Sequence, residues 1–401
     1  MNSKTTVPGS LLGGMLLVAG SCIGAGMLAL PILTGLAGFF PSLSMLLLAW
    51  AFMTFTGLLL VEATGWFSGQ VNLLSMVQES LGRMGRMAAW ISYLFLFYSL
   101  LVAYVAASGT IFSAILDSLF HIHLPEWAAS LFFTLIFGWI IYLGTRPVDL
   151  LNRVLMAGLI TAYLGMIALG IVRIDHQLLL AWAPKYLLSS LPVLVVSFGF
   201  QNLIPSLSAY MKGDLRRVRF TIIGGSLICL AIYVIWSLLV LGVVPYGMIV
   251  GSYEKGEEAT IALHAVLGSS FISYFAHAFA FFAIVTSFLA QGLTLTHFLA
   301  DGFKLIPTRK NTGWLIVLAL APPLALALSY PHIFFKALSF AGGICAMVLF
   351  GILPTLMLWI GRYHKNLTSN YQVQGGKTSL IAGFCFSLFI IICEFARIFS
   401  F

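Results

Sequence analysis

The sequence predicts an all-α integral membrane protein of about eleven transmembrane helices. Of its 401 residues, 61% are hydrophobic and only 8% are charged, whereas soluble domains carry about 25% charged residues. A soluble protein cannot keep this much apolar surface away from water, so a lipid bilayer is the solvent that fits the composition. The mean hydropathy of +1.04 agrees with this interpretation.

Apolar runs divide the chain into eleven predicted spans, because a helix needs about 20 apolar residues to cross the hydrocarbon core. Spans 1 and 2 are separated at Gly35, Gly38 and Pro41, which are typical turn residues. The loops are too short for a soluble domain, so residues 1–401 are predicted to form a single membrane domain. The predicted spans are 9–36, 38–62, 88–116, 126–145, 151–172, 186–211, 218–243, 271–300, 313–329, 333–360 and 378–397.

Basic residues are concentrated in alternate loops. If the N-terminus is cytoplasmic, the inner segments hold about three-quarters of the 20 Lys and Arg residues, among them Lys4. This excess is typical of the cytoplasmic side of membrane proteins. It predicts a multi-pass protein with a cytoplasmic N-terminus and, because the number of spans is odd, a C-terminus on the outer side. The net charge of +8 then needs no nucleic-acid partner, and no obligate protein partner is evident.

Two of the spans contain residues that disfavour a continuous helix. In span 1, residues 20–26 include three glycines, and Pro31 follows. In span 6, residues 197–202 carry two amide side chains between Pro192 and Pro205. Amides at membrane depth are costly unless they face protein or water. We therefore expect both spans to be broken near the bilayer centre.

The two expected breaks are five spans apart, so spans 1 and 6 run in opposite directions. This arrangement is typical of a 5+5 inverted repeat, with repeat 1 at about 9–172, repeat 2 at about 186–360 and one extra C-terminal helix at about 378–397. Unpaired backbone groups at this depth are tolerated only where they line a cavity. A half-helix N-terminus suits a carboxylate, and carbonyls at the opposite end suit an ammonium group, so a zwitterionic amino acid fits both. The alternative is that Gly20 and Gly24 simply allow close helix packing.

The two expected breaks and span 3 contain these stretches: Ala19-Gly20-x-x-Ile23-Gly24-x-Gly26, Met27-Leu28-Ala29-Leu30-Pro31, Ala103-Tyr104 with Ser108-Gly109, Ser197-Phe198-Gly199-Phe200 and Ile204-Pro205-Ser206. They resemble the hydroxy/aromatic amino-acid permease family, and within it the bacterial tyrosine-specific transport proteins. The likeness covers essentially the whole chain, and the family belongs to a superfamily with the bacterial leucine-transporter fold. Gln201-Asn202 stands where the family often has His followed by Gly or Asn. The resemblance also implies a location in the bacterial inner membrane, so that the C-terminus is periplasmic.

The resemblance implies a substrate site built from both breaks and from span 3. Tyr104 in span 3 is either a contact for the substrate or an ordinary packed tyrosine. The amides of Gln201 and Asn202 are candidate partners for a phenol, beside the rings of Phe198 and Phe200. The expected substrate-binding residues are Ser21, Cys22, Gly24, Ala25, Gly26, Tyr104, Ser197, Phe198, Gly199, Phe200, Gln201 and Asn202.

Candidate groups for the coupling ion lie in spans 1 and 8. In sodium-coupled relatives of the fold, two hydroxyls in span 8 join carbonyls of span 1; the matching positions are Thr286, Ser287, Gly20 and Ile23. The alternative is that each hydroxyl bonds the carbonyl one turn back in its own helix. His277, an ionisable residue at membrane depth, is a candidate proton carrier.

These observations predict a secondary active transporter that imports an aromatic amino acid with a coupling cation. Tyrosine is the first expected substrate, with tryptophan or phenylalanine behind it. The expected ion is H⁺, with alternating access, and the alternative is a Na⁺-coupled transporter of another neutral amino acid. A membrane-embedded enzyme is disfavoured because the twelve acidic residues form no paired-carboxylate or H-E-x-x-H pattern. The five cysteines lie in apolar runs without a C-x-x-C pair, and we expect no metal or cofactor.

Overall fold

A computed structural model describes residues 9–67, 71–268, 271–305 and 308–399; Lys4 lies outside these ranges. The described chain is helical and contains no strand, which confirms the predicted fold class. The helices are α1 (Leu11–Cys22), α2 (Gly26–Gly35), α3 (Phe39–Thr64), α4 (Leu73–Phe120), α5 (Glu126–Leu143), α6 (Thr145–Gly170), α7 (Leu187–Ser197), α8 (Ile204–Tyr210), α9 (Leu215–Val243), α10 (Tyr246–Lys255), α11 (Ala259–Leu267), α12 (Phe271–Gly302), α13 (Arg309–Ser329), α14 (Phe334–Phe340), α15 (Leu353–Tyr363) and α16 (Gly376–Phe399).

The number of spans agrees with the prediction. Within the described ranges, ten helical spans are long and apolar enough to cross a membrane, and α1 with α2 forms an eleventh, broken span. Span 6 consists of α7 and α8, and span 10 consists of α14, a π-helical stretch at Ala341–Ile352 and α15. Since spans 1 and 6 are both interrupted, the structure has the feature that the inverted-repeat prediction requires; the division into repeats stays a prediction.

Small residues allow the broken spans to approach their neighbours closely. A Cβ atom on Gly225 of α9 would lie 2.6 Å from Val18 Cβ in α1. A Cβ atom on Gly342 in the π-helical stretch would lie 1.7 Å from the carbonyl oxygen of Pro192 in α7. Span 1 therefore packs closely against span 7, and span 10 packs closely against span 6. This packing places both breaks inside the bundle.

Candidate functional site

Span 1 is broken between α1 and α2, as predicted. The two helices meet at 63°, and Ile23 is extended with ψ of 106°. The Ala25 N–H donates to the Oγ of Ser287 in α12 at 2.9 Å. A Cβ atom on Gly24 would lie 2.5 Å from the same Oγ atom, so this close approach of α12 requires glycine. The Ser287 hydroxyl of α12 therefore satisfies a backbone N–H group at the break.

Span 6 is broken at the predicted place and lies beside the first break. Helix α7 ends at Ser197, and one turn of 3₁₀-helix at Gln201–Leu203 leads into α8. A Cβ atom on Gly26, the first residue of α2, would lie 3.0 Å from Ser197 Oγ. The start of α2 therefore faces the end of α7 at contact distance.

Tyr233 of α9 joins the two breaks, and sequence reasoning did not identify it. Its hydroxyl lies 2.7 Å from the carbonyl oxygen of Cys22 and 2.8 Å from that of Ser197, to which it donates. These carbonyls belong to the last residues of α1 and α7, which lack partners within their own helices. One turn away, Trp236 Nε1 donates to the Met27 carbonyl at 2.9 Å. The available signal was two buried aromatic residues with polar tips, three residues apart on one helix face.

A cavity of about 250 Å³ lies between the two breaks, α4, α6, α12 and span 10. Ser21 and Asn202 are exposed to it, and the Asn202 Oδ1 accepts a hydrogen bond from the Tyr93 hydroxyl. Tyr104 also lines it, although it is only 5% exposed. The structure brings together these expected residues at the cavity wall: Gly20, Ser21, Cys22, Ile23, Gly24, Ala25, Gly26, Tyr104, Ser197, Gly199, Asn202, Thr286 and Ser287.

Three expected substrate-binding residues do not line this cavity. Phe198 packs edge-on against the ring of Tyr233, with 5.1 Å between the centroids, and Phe200 is buried against α3. Gln201 is fully buried, and its Nε2 donates to the Met53 carbonyl of α3 at 3.1 Å. The chain leaves helical geometry after α7, so neighbouring side chains no longer follow one helix face. The structure therefore does not bring Gln201 to this cavity, and its expected contact with a phenol stays a prediction.

The residues of the candidate ion site all line the cavity. The hydroxyls of Thr286 and Ser287 already make hydrogen bonds within the protein. The Thr286 hydroxyl donates to the Phe282 carbonyl at 2.8 Å and to the Ala283 carbonyl at 3.1 Å, which is the local bonding considered above. Ser287 accepts from the break in span 1. Gly20 and Ile23 lie at the same cavity wall. In the described chain, no three His, Cys, Asp or Glu residues lie close enough to hold a metal ion.

His277 lies apart from the cavity. Its ring is 4.7 Å, centroid to centroid, from that of His264 in α11. The Nδ1 atoms of both histidines are buried without a hydrogen-bond partner among the described residues. The structure therefore does not bring this candidate proton carrier to the broken spans.

Sequence reasoning also missed two amides at the cavity wall. Asn152 of α6 and Gln291 of α12 come from helices far apart in sequence, and neither helix has a break at that point. Nothing in the local sequence separates them from other polar residues of apolar helices. The remaining cavity residues are Leu96, Phe97, Leu100, Met156, Val196, Ala290, Leu338 and Phe350.

Comparison of the sequence with known proteins identifies its family. The profile of the tryptophan/tyrosine permease family matches residues 8–394. The chain belongs to this family. It is 33% identical to tyrosine-specific transport system 1 of Haemophilus influenzae over 397 residues, which cover 96% of each chain. It is 32% identical to the tryptophan-specific transport protein of the same organism, covering 96% of this chain and 95% of the relative. The low affinity tryptophan permease of Escherichia coli is 25% identical, covering 98% and 96%.

Membership of this family fits a multi-pass membrane transport protein, as the sequence predicted. The relatives are named as transport proteins and permeases, not enzymes. The relatives' names include both tyrosine and tryptophan, so the names alone do not choose between these substrates.

Proposed function

We propose that the protein imports an aromatic amino acid, tyrosine first and tryptophan or phenylalanine behind it, across the bacterial inner membrane. The observation that carries this proposal is the meeting of two broken spans at one cavity, with aromatic walls at Phe97, Tyr104 and Phe350. Family membership supports transport of such amino acids. The cavity provides backbone polarity for the amino-acid group and rings for an aromatic side chain.

The N-terminus of α2 is the proposed binding site of the substrate carboxylate. The first N–H groups of any helix lack partners within it and carry partial positive charge. The first residue of α2, Gly26, lines the cavity together with Gly24. Carbonyl groups of span 1 before the break then face the ammonium group.

The transport cycle we propose alternates access to this cavity. With the N-terminus cytoplasmic, Ser21 and Asn202 lie on the cytoplasmic side of the two breaks, and both are exposed. On the outer side, Met27, Leu28 and Trp236 are fully buried. This distribution supports an inward-facing state, with the outer path closed by α2 and α9.

Proton symport is the proposed energy source, and sodium symport is the second candidate. The observation that favours sodium is that Thr286, Ser287, Gly20 and Ile23 all line one cavity. Against it, both hydroxyls are engaged in hydrogen bonds within the protein. The assay is uptake of labelled tyrosine into proteoliposomes with an imposed pH gradient, alkaline inside, and no sodium. Accumulation above the equilibrium level supports proton coupling, whereas accumulation only with a sodium gradient overturns it.

The same vesicles test the substrate. Each unlabelled amino acid is added in excess to labelled tyrosine. Competition by tyrosine, tryptophan and phenylalanine, with little by small aliphatic amino acids, is expected. Uptake of an aliphatic amino acid that tyrosine does not inhibit would refute the aromatic assignment.

A further inference from the structure

Two carboxamide side chains, those of Asn152 and Gln291, line the cavity from unbroken helices. These helices, α6 and α12, pack against each other. The Asn152 Oδ1 is buried without a partner. A buried polar atom left unpaired costs about 1–3 kcal/mol, so a ligand that donates a hydrogen bond to the Asn152 Oδ1 would be stabilised. The Gln291 side chain is half-buried at the same cavity.

Gln291 lies one helical turn from the break in span 1. It follows Ser287 by four residues in α12, and residues with this spacing share one face, with Cβ atoms roughly 5–6 Å apart. Ser287 holds the Ala25 N–H at the break. A substrate whose amino-acid group sits at the break can therefore extend its side chain along α12 toward Gln291.

The third carboxamide that lines the cavity, that of Asn202, is less available as an acceptor. The Oδ1 of Asn202 already accepts the Tyr93 hydroxyl. The neighbouring residues Leu96, Leu100 and Val196 offer apolar contact only. Among the three carboxamides of the cavity, those of Asn152 and Gln291 are thus the ones available to accept a hydrogen bond from a ligand.

We propose that Asn152 and Gln291 select aromatic rings that carry a hydrogen-bond donor, the phenol O–H or the indole N–H. This inference rests on the proposed aromatic substrate. A phenylalanine ring has no such donor and leaves the amide oxygens unpaired. Sites built to hydrogen-bond a substrate group discriminate strongly against the analogue that lacks it, because their own polar atoms are then unsatisfied.

The test replaces each amide by an apolar residue of similar size in the full-length protein. Gln291→Met and Asn152→Leu are reconstituted, and kcat/KM for uptake of tyrosine, tryptophan and phenylalanine is measured. The ratio of tyrosine to phenylalanine should fall about tenfold or more, with phenylalanine uptake retained. The control is Thr294→Ala, since Thr294 is exposed on the same helix and bonds its own Ala290 carbonyl.

Two outcomes overturn the inference. Equal losses for all three substrates would show that the amides serve the backbone groups of the substrate or the coupling ion. Unchanged ratios would show that the ring does not reach them. If the unaltered protein transports none of the three, the proposed function itself fails, and that result is separate because it is read before any substitution is made.

Discussion

At the scale of single residues, Tyr233 has the clearest structural role at the two breaks. Its one hydroxyl reaches the last carbonyl of α1 and the last carbonyl of α7. Both acceptors are buried inside the bundle, where unpaired carbonyls are costly. The ring itself is fully buried and packs against Phe198. The residue therefore couples the geometry of span 1 to that of span 6.

Tyr233→Phe should weaken this coupling while it keeps the ring packing. The single O–H proton that two buried carbonyls share is lost, at about 1–3 kcal/mol, so the thermal unfolding temperature in detergent should fall. Uptake should drop by a similar factor for tyrosine and phenylalanine, since the hydroxyl contacts backbone and not the ring of a substrate. Wild-type stability and uptake would contradict the role assigned to Tyr233.

At the scale of elements, the break in span 1 depends on the fit between Gly24 and α12. Gly24 lacks the Cβ atom that would collide with Ser287 Oγ. The hydrogen bond from Ala25 depends on this same approach. Packing of α12 and the bend of span 1 are therefore one structural feature.

Gly24→Ala should reduce the rate of uptake by on the order of tenfold or more. The added Cβ forces α12 to move or Ser287 to rotate away. The double variant Gly24→Ala, Ser287→Ala removes the colliding oxygen, whereas the Cβ of Ser287 lies at an acceptable 3.8 Å. It should therefore recover part of the uptake, although the bond to Ala25 is lost. If the single variant transports normally, or the double is worse than the single, the steric explanation is wrong. Uptake in vesicles with matched protein content is the measurement.

The short helix α11 begins with a titratable cap. Glu258 is 2% exposed, and its carboxylate accepts the Thr260 N–H at 2.7 Å and the Thr260 hydroxyl at 2.5 Å. Burial raises the pKa of the Glu258 carboxyl from 4.5 to about 7, and the neighbouring charge of Glu257 adds to the increase. A raised carboxyl pKa means that the folded state holds this proton more tightly than the unfolded state.

The contribution of Glu258 to the free energy of unfolding should therefore decrease as pH rises. The contribution of Glu258 is fully present below about pH 4.5, falls as the pH rises toward about 7 and is lost above it. Glu258→Gln removes the titration and keeps an oxygen that can accept from Thr260. Thermal unfolding between pH 5 and 8 should show a steeper decline for the wild type than for this variant, by on the order of 2–3 kcal/mol in total. Parallel curves would contradict the assignment.

At the scale of the whole molecule, a buried ion pair connects the ends of spans 2 and 10. Arg362 Nε donates to Glu62 Oε1 at 2.7 Å, and its Nη2 donates to Glu62 Oε2 at 2.5 Å. The backbone of Val373, in the connection to α16, donates to Glu62 and accepts from Arg362. Arg219 of α9 stacks on Tyr371 in the same connection, 4.0 Å from the ring centroid. Four elements are tied together at this end of the bundle.

Glu62→Gln should destabilise the protein by about 3–5 kcal/mol, because it leaves the Arg362 charge buried and unpaired. The double variant Glu62→Leu, Arg362→Met removes both charges and should recover much of this loss. Detergent-solubilised protein melting curves give the comparison. If the double variant is less stable than Glu62→Gln, the ion pair itself must stabilise the folded protein, beyond neutralising a buried charge.

The spans and the positions of both breaks followed from local properties of the sequence. Apolar length marks a membrane helix, because the bilayer thickness is fixed. Clustered glycines, and amides between prolines, marked places where a continuous helix is disfavoured. These signals lie within a few residues of one another, so no knowledge of neighbouring helices was needed. The structure has its breaks at residues 23–25 and 198–203, as expected.

Tertiary structure alone decided which side chains face the cavity. The sequence predicted Gln201 at the substrate site, but its side chain bonds the Met53 carbonyl of α3, because side-chain direction after a break depends on backbone angles set by packing. Asn152 and Gln291 reach the cavity from unbroken helices, and Tyr233 reaches both breaks from α9. These contacts join residues far apart in the chain. Whether they form depends on which helices pack together, and no local sequence pattern specifies that packing.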